Sequence, residues 1–450
     1  MSTEAMARCV AKMQAAGVSE PAIKNFTHYW HQCAAGATGI IAEASIRPLL
    51  DVPNLASLEI SDEDAEAAIR QTVIIKLNGG LGTSMGLDRA KTLLEVRSGR
   101  TFLDLIVAQV THARQQYGAR LPLLFMNSFR TREDTLGYLE RYPELAVDGL
   151  GLDFVQNAEP KILADSLEPV SWPADPTLEW CPPGHGDLYP ALLGSGVLDA
   201  LIDAGFRYAS VANGDNLGAA PDARLAGWFA ASGAPYAAEV CPRTINDRKG
   251  GHLAVRIADG QLILRDTAQT APEEMDFFTD EHRHPYFHAN NLWLDLLVLR
   301  RTLAERDGVL GLPLIRNDKT VDPADPSSPK VIQLESAMGA AIEVFPGAVA
   351  IEVGRDRFQP VKTTNELMLL RSDVFDLGED GRLVATAAIP EIQLDSHYKL
   401  VDDFDRLVSV VPSLRQAQSL RVKGEWHFDA PAEVVGAVEL ADTGQPEHFR

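Results

Sequence analysis

The chain has 450 residues, 46% hydrophobic and 23% charged, a balance that supplies apolar side chains for more than one core and implies two or three subdomains. Its formal net charge of −22 excludes a surface built for bulk nucleic acid or anionic membrane, since both recruit basic protein faces. The four cysteines, Cys9, Cys33, Cys181 and Cys241, are too scattered for paired metal ligands and too few for a disulfide framework, so a reducing, cytoplasmic compartment is expected.

Residues 1–70 read as an amphipathic helical segment. Met6, Val10, Met13 and Ala16 recur at helical spacing, followed by Phe26, Tyr29 and Trp30, and this apolar stripe is expected to pack on the domain that follows. No apolar run approaches the length of a membrane span, and no long apolar stretch opens the chain.

From Thr72 onward, strand-like apolar runs alternate with helical ones. The pattern predicts strands over 73–77, 121–126 and 152–155 and helices over 102–116 and 132–141, hence a largely parallel sheet flanked by helices. Ligands in such sheets bind beyond the carboxyl ends of the strands.

The first predicted strand runs into VIIKLNGGLGTSMGLDRAKTLL, residues 73–94. An apolar strand that ends in a glycine-rich loop aims backbone N–H groups at a polyphosphate, with Lys91 as counter-charge. Spacing excludes the two commonest phosphate loops. Gly86 is followed by Leu87, with Lys91 further on, so GxxxxGK is not met, and Gly80, Gly82 and Gly86 run GxGxxxG instead of the dinucleotide GxGxxG.

The next informative stretch is WCPPGHGDLY, residues 180–189, where prolines and glycines around His185 form a turn whose backbone can approach a ligand closely. Read alone, such a histidine is more often a turn residue donating to a local carbonyl. In YASVANGDNLG, residues 208–218, a short apolar strand ends in a polar cluster. A carboxylate there can hold a hard divalent cation that keeps most of its waters, which makes Asp215 the metal candidate, although NGDN is also a turn signal.

KGGHLAV (249–255), YFHANNLWL (286–294) and QLESAMGAAI (333–342) follow in order. Asn290, Asn291 and Glu335 are groups of the type that read sugar hydroxyls. GRDRFQPVKTTNEL, residues 354–367, concentrates positive charge in Arg355, Arg357 and Lys362. The valine- and leucine-rich tail, with SLRVKGEWHFDAPAEVVGAVEL, reads as a β-solenoid, and the terminal QPEHFR as frayed.

These motifs, in this order over residues 35–440, resemble the UDP-glucose pyrophosphorylases, the UTP:glucose-1-phosphate uridylyltransferases of eukaryotic type. The resemblance implies an α/β fold: a helical segment over 1–70, a GT-A-like (Rossmann-like) nucleotidyltransferase core over 71–375 and a short C-terminal left-handed β-helix over 376–450. It implies Lys91 and Lys362 as catalytic residues, the first on the departing pyrophosphate and the second on the attacking sugar phosphate. Leu77, Asn78, Gly79, Gly80, Gly82, Gln156, Gly184 and Gly186 would hold the nucleotide, and His185, Asn213, Gly251, Asn290 and Glu335 the sugar. Asp215 would ligate Mg2+.

The partners so implied are UTP and glucose 1-phosphate, with no nucleic acid and no membrane. A homo-oligomer stays open, because the tail is shorter than in eukaryotic members. The chain departs from the family pattern at Ala90, where proline is usual, at Thr92, where serine is usual, and at Ala289, where a hydroxyl residue precedes Asn290. Ala289 and His252 lie nearer the expected hexose, so two rivals stand: a uridylyltransferase for N-acetylhexosamine or galactose 1-phosphate, and a non-catalytic nucleotide-sugar sensor.

Overall fold

The computed structural model describes residues 2–450 apart from Ile245, Asn246 and Lys249, so the lysine that opens the KGGHLAV motif lies outside the described residues. The fold is mixed α/β and divides into two compact units. One comprises Met1–Ile75, Val147–Val211 and Asp222–Val353; the other comprises Lys76–Ala146, Ala212–Pro221 and Gly354–Arg450.

The first unit is organised around the long strand Tyr286–Asp295. It runs antiparallel to Tyr208–Asn213, with Ser210 opposite Trp293, and to Tyr236–Pro242, with Ala237 opposite the same tryptophan. Val349–Glu352 joins parallel to Tyr236–Pro242, so the sheet is mixed. These strands are nearly continuous apolar runs because both faces are covered. Helix Ala223–Ser232 lays Phe229 against Tyr208 and Trp293, at ring distances of 5.6 and 6.1 Å.

Helices Ser2–Ala15 and Glu20–Ala34 dock on this unit. Phe26, Tyr29 and Trp30 are buried as expected, each worth about 2–3 kcal/mol of transfer free energy. The Trp30 indole N–H donates to the Leu167 carbonyl at 3.1 Å. On the first helix the buried face is Ala5, Cys9 and Met13, whereas Ala16 lies beyond the helix end and is exposed. The buried face thus keeps Met13 but uses Ala5 and Cys9 in place of Met6 and Val10, which are half-buried. All four cysteines are buried free thiols.

In the second unit, helix Phe102–Tyr117 opens on a Thr101/Asp104 capping box and closes on Gly118 in the left-handed region. The following strand is Leu123–Asn127 instead of 121–126. Leu121 has φ +37 and Pro122 lacks an N–H, so pairing cannot begin before Leu123. Near the C-terminus, Glu391–Gln393, Ser413–Val422 and Glu433–Leu440 stack in parallel, with Leu420 opposite Val438 and Val422 opposite Leu440. Leu414, Ala417, Leu420 and Val422 form the buried side of this stack.

Candidate active site

The glycine-rich loop and Asp215 belong to the second unit. Strand Thr72–Asn78 ends at Asn78, and the loop turns at Gly82 (φ +66) and Gly86 (φ +80), conformations that only glycine adopts without strain. The chain then folds back on itself, with the Lys91 N–H donating to the Gly80 carbonyl at 3.2 Å. A single 3-10 turn, Lys91–Leu93, presents the lysine. Its Nζ donates to Asp215 Oδ2 at 2.6 Å and also to the Val361 carbonyl.

Asp215 is held by the same segments. The Gly214 N–H donates to the Leu77 carbonyl at 2.8 Å, and the Val361 N–H donates to the Asp215 carbonyl at 3.3 Å. Asn216, 1% exposed, ties the turn down: its Nδ2 donates to the Arg357 carbonyl at 3.1 Å, and its Oδ1 accepts from Gln359 N–H at 2.8 Å. Lys362 is exposed and stands next to Val361, at the start of helix Thr364–Arg371 with its Thr363/Glu366 capping box. Arg357 does not belong with the phosphate cations; it is 5% exposed and donates to the Ala220 carbonyl at 2.6 Å.

Asn78 lies at the centre of a dry polar cluster. Its amide donates to Asn127 Oδ1 and Thr135 Oγ1, both at 2.8 Å, and its Oδ1 accepts from Thr92 Oγ1 at 2.6 Å. Thr131 Oγ1 donates to the Asn78 carbonyl at 2.7 Å. Both amide hydrogens of Asn78 are therefore engaged inside the fold, and the side chain supports the loop from beneath.

The histidine loop belongs to the first unit. The Gly186 N–H donates to the Ser336 carbonyl at 2.8 Å, and the Ser336 N–H donates to Pro183 at 3.1 Å. A methyl group at Gly184 would lie 2.6 Å from the Ser336 carbonyl oxygen, and one at Gly186 would lie 2.2 Å from its Oγ. Both glycines are thus required by close backbone packing. The Met338 N–H donates to His185 Nδ1 at 2.9 Å, so that nitrogen carries the lone pair and Nε2 the proton. Asp187 accepts from Asn157 N–H at 2.5 Å and from its amide at 2.9 Å, which ties the loop to the residue after Gln156. Burial nevertheless pushes the Asp187 carboxyl up to about 7.

Strand Tyr286–Asp295 carries a bulge opposite Glu239, where the register slips between Ala238 and Val240, and Asn290 sits there at φ +56. Its N–H donates to His288 Nδ1 at 3.1 Å, and His288 N–H donates to the Gly251 carbonyl at 2.9 Å. Burial, with His185 nearby, pushes His288 down to about 3. Asn291 faces the other way and donates to buried Glu239 at 3.0 Å, as does Trp293. Glu335 ends strand Lys330–Glu335 and is raised, chiefly by burial. His252 is fully buried and stacks on His284 at 3.8 Å, so its ring is a core group and not a sugar contact.

Leu77, Asn78, Gly79, Gly80, Gly82, Lys91, Asn213, Asp215 and Lys362 are thus grouped in the second unit. Gln156, Gly184, His185, Gly186, Gly251, Asn290 and Glu335 are grouped in the first, where Met338 meets His185 and a methyl at Gly339 would lie 2.7 Å from His288. Sequence reasoning missed Thr92, Asn157, Asp187, Asn216 and Ser336 as supports. Asp187 and Asn216 sit inside motifs it had singled out, and a charged or amide group within such a packed turn was the available signal.

Among the described residues no group of three or more His, Cys, Asp or Glu could enclose a metal. A single carboxylate at a strand end fits Mg2+ held mostly by water and phosphate oxygens, and does not fit an all-protein cage.

Residues 23–434 match the UTP–glucose-1-phosphate uridylyltransferase family. The enzyme of that name from Solanum tuberosum is 37% identical over 393 residues, covering 86% of this chain and 80% of its own. The Saccharomyces cerevisiae enzyme is 40% identical over 375 residues, covering 82% and 74%. A crystal structure of a UDP-glucose pyrophosphorylase variant from Leishmania major in complex with UDP-glucose superposes with a TM-score of 0.93 at 43% identity, over 99% of this chain and 97% of that one.

Proposed function

We infer the reaction from one premise: the chain belongs to the UTP–glucose-1-phosphate uridylyltransferase family. It is a nucleotidyltransferase that makes UDP-glucose and pyrophosphate from UTP and glucose 1-phosphate. In our reading a phosphate oxygen of glucose 1-phosphate attacks the α-phosphorus of UTP in line and pyrophosphate leaves. The protein makes no covalent bond, because positioning and charge neutralisation supply most of the catalysis in such transfers.

The observation that carries this reading is the Lys91–Asp215 pair at 2.6 Å beside the glycine loop. Lys91 is the cation for the leaving pyrophosphate, Lys362 orients the attacking phosphate, and the N–H groups of Gly79, Gly80 and Gly82 cradle the nucleotide. Mg2+ on Asp215 would neutralise phosphate oxygens. Lys91 would exchange the carboxylate for phosphate oxygens, and Asp215 is the residue that would hold the ion. In the second unit we assign Leu77 to the nucleotide and Asn213 to the hexose; in the first we assign Gln156, Gly184 and Gly186 to the nucleotide and His185, Gly251, Asn290 and Glu335 to the hexose.

The architecture we assign is a GT-A-like core over 71–375, a helical segment over 1–70 and a left-handed β-helix over 376–450, for which the parallel register of Ser413–Val422 with Glu433–Leu440 is the support. No helix among the described residues is long and apolar enough to cross a membrane. We place the enzyme in the cytoplasm and leave a homo-oligomer open.

The test is pyrophosphate release by the purified chain with Mg2+, UTP and a panel of sugar 1-phosphates, with ATP, GTP and dTTP as controls. Fast release is expected only with UTP and glucose 1-phosphate. Preference for N-acetylhexosamine or galactose 1-phosphate would move the substrate and keep the mechanism, and UDP-glucose binding without turnover would mark a sensor.

A further inference from the structure

We propose that the Thr92–Asn78 hydrogen bond is the positioning device that holds Lys91 in register with Asp215. The proposal rests on the reading of Lys91 as the cation for the leaving pyrophosphate. Thr92 is 2% exposed, so it acts through its neighbour.

Thr92 works in two directions. Its Oγ1 donates to Asn78 Oδ1 at 2.6 Å, which anchors the lysine's turn to the end of the strand that carries the loop. Its Cγ2 faces Gly214, where a methyl group would lie only 2.9 Å away. Gly214 in turn donates to Leu77 at 2.8 Å and immediately precedes Asp215. One side chain therefore sets the spacing of the lysine from both the strand end and the carboxylate's turn.

The anchor is itself rigid. Asn78 cannot rotate its amide without breaking bonds to Asn127 and Thr135, which are 0% exposed, as is Thr131 on its carbonyl. A fully satisfied buried polar network has one arrangement of donors and acceptors, and apolar packing alone lacks this directionality. Lys91 ends on a long, flexible stem, and a shift of about 1 Å in its root is enough to cost a large factor in a transfer that depends on alignment. Its own N–H is held by Gly80 at 3.2 Å, so the hydroxyl on the following residue supplies the second fixed point.

The test uses the full chain with Mg2+, UTP and glucose 1-phosphate. Thr92→Val keeps the volume and removes the donor; kcat is expected to fall about 10- to 100-fold while KM for glucose 1-phosphate changes less than about 3-fold. Thr92→Ser keeps the hydroxyl and restores most of the rate. In a Lys91→Ala background, Thr92→Val is expected to change the residual rate less than about 2-fold, because both substitutions disable one device. Should the valine variant fail to fold, Thr135→Val loosens Asn78 from the opposite side and should show the same lack of additivity with Lys91→Ala.

Wild-type kcat in Thr92→Val, equal damage from serine and valine, or full multiplication of the two losses in the double variant would each overturn the proposal. If Lys91→Ala is impaired while Thr92→Val is not, the positioning role falls and the lysine's role stands. If Lys91→Ala turns over at the wild-type rate, the reading of the lysine falls and the proposal with it.

Discussion

The lysine loop and the histidine loop are both glycine clusters, yet Gly80 of the first and Gly186 of the second meet different surroundings. At Gly82 and Gly86 the need is conformational, with φ at +66 and +80, and a methyl group at Gly80 would meet nothing within 4 Å. At Gly186 the need is volume, because Ser336 occupies the space where a side chain would begin. Gly80 has open space where a side chain would begin. Gly186 is packed from behind by protein. The same sequence signal thus marks a glycine with open space beside it and a glycine backed closely by protein.

The largest effect expected is on the open side. Lys362→Ala should lower kcat by about 10²- to 10³-fold while leaving the circular dichroism spectrum unchanged, since an exposed lysine contributes little to packing. A near-normal rate would remove Lys362 from the mechanism and leave Lys91 as the sole side-chain cation assigned to phosphate.

Alanine substitutions test the contrast directly. Gly186→Ala must displace Ser336 and is expected to destabilise the protein by about 1–3 kcal/mol, read as a lowered Tm and denaturation midpoint. Gly80→Ala should leave Tm nearly unchanged and raise KM for UTP. Equal losses of stability in the two variants would erase the distinction drawn between the loops.

The smallest effect concerns the dry root of the histidine loop. Burial pushes Asp187 up to about 7, above its unfolded value of about 3.9, so the native state holds a proton that the unfolded chain has released. Stability from this group is therefore lost as pH rises from about 4 to about 7. His288, pushed down to about 3, acts in the opposite direction below its unfolded value of about 6.5, so the informative quantity is the difference between wild type and Asp187→Asn. Wild-type Tm should fall relative to the variant between about pH 4 and about pH 7, and a flat difference would mean that the carboxyl is not dry.

Much of the candidate site was legible because its parts are local in the chain. A strand, a glycine turn and a lysine lie within residues 73–94, and the proline–glycine turn around His185 lies within residues 180–189. The supports were not legible. Asn78 looks like one more polar residue at a strand end, and only the fold brings it to Asn127 and Thr135, 49 and 57 residues away. His252 reads as a sugar-side histidine from its motif, but stacking on His284 places it in the core. Asn290 and Asn291 are adjacent and chemically alike, and only the fold shows that the second donates to buried Glu239 across a bulge.

By itself, then, the sequence determined the kinds of element, the order of the motifs and the residue types able to meet phosphate, because helical and strand periods and turn chemistry act over a few residues. Tertiary structure alone decided which of those residues are buried and which polar groups they hold in place. Burial, close backbone approach and the pairing of polar groups depend on segments distant in the chain, and no local pattern encodes which of them will meet.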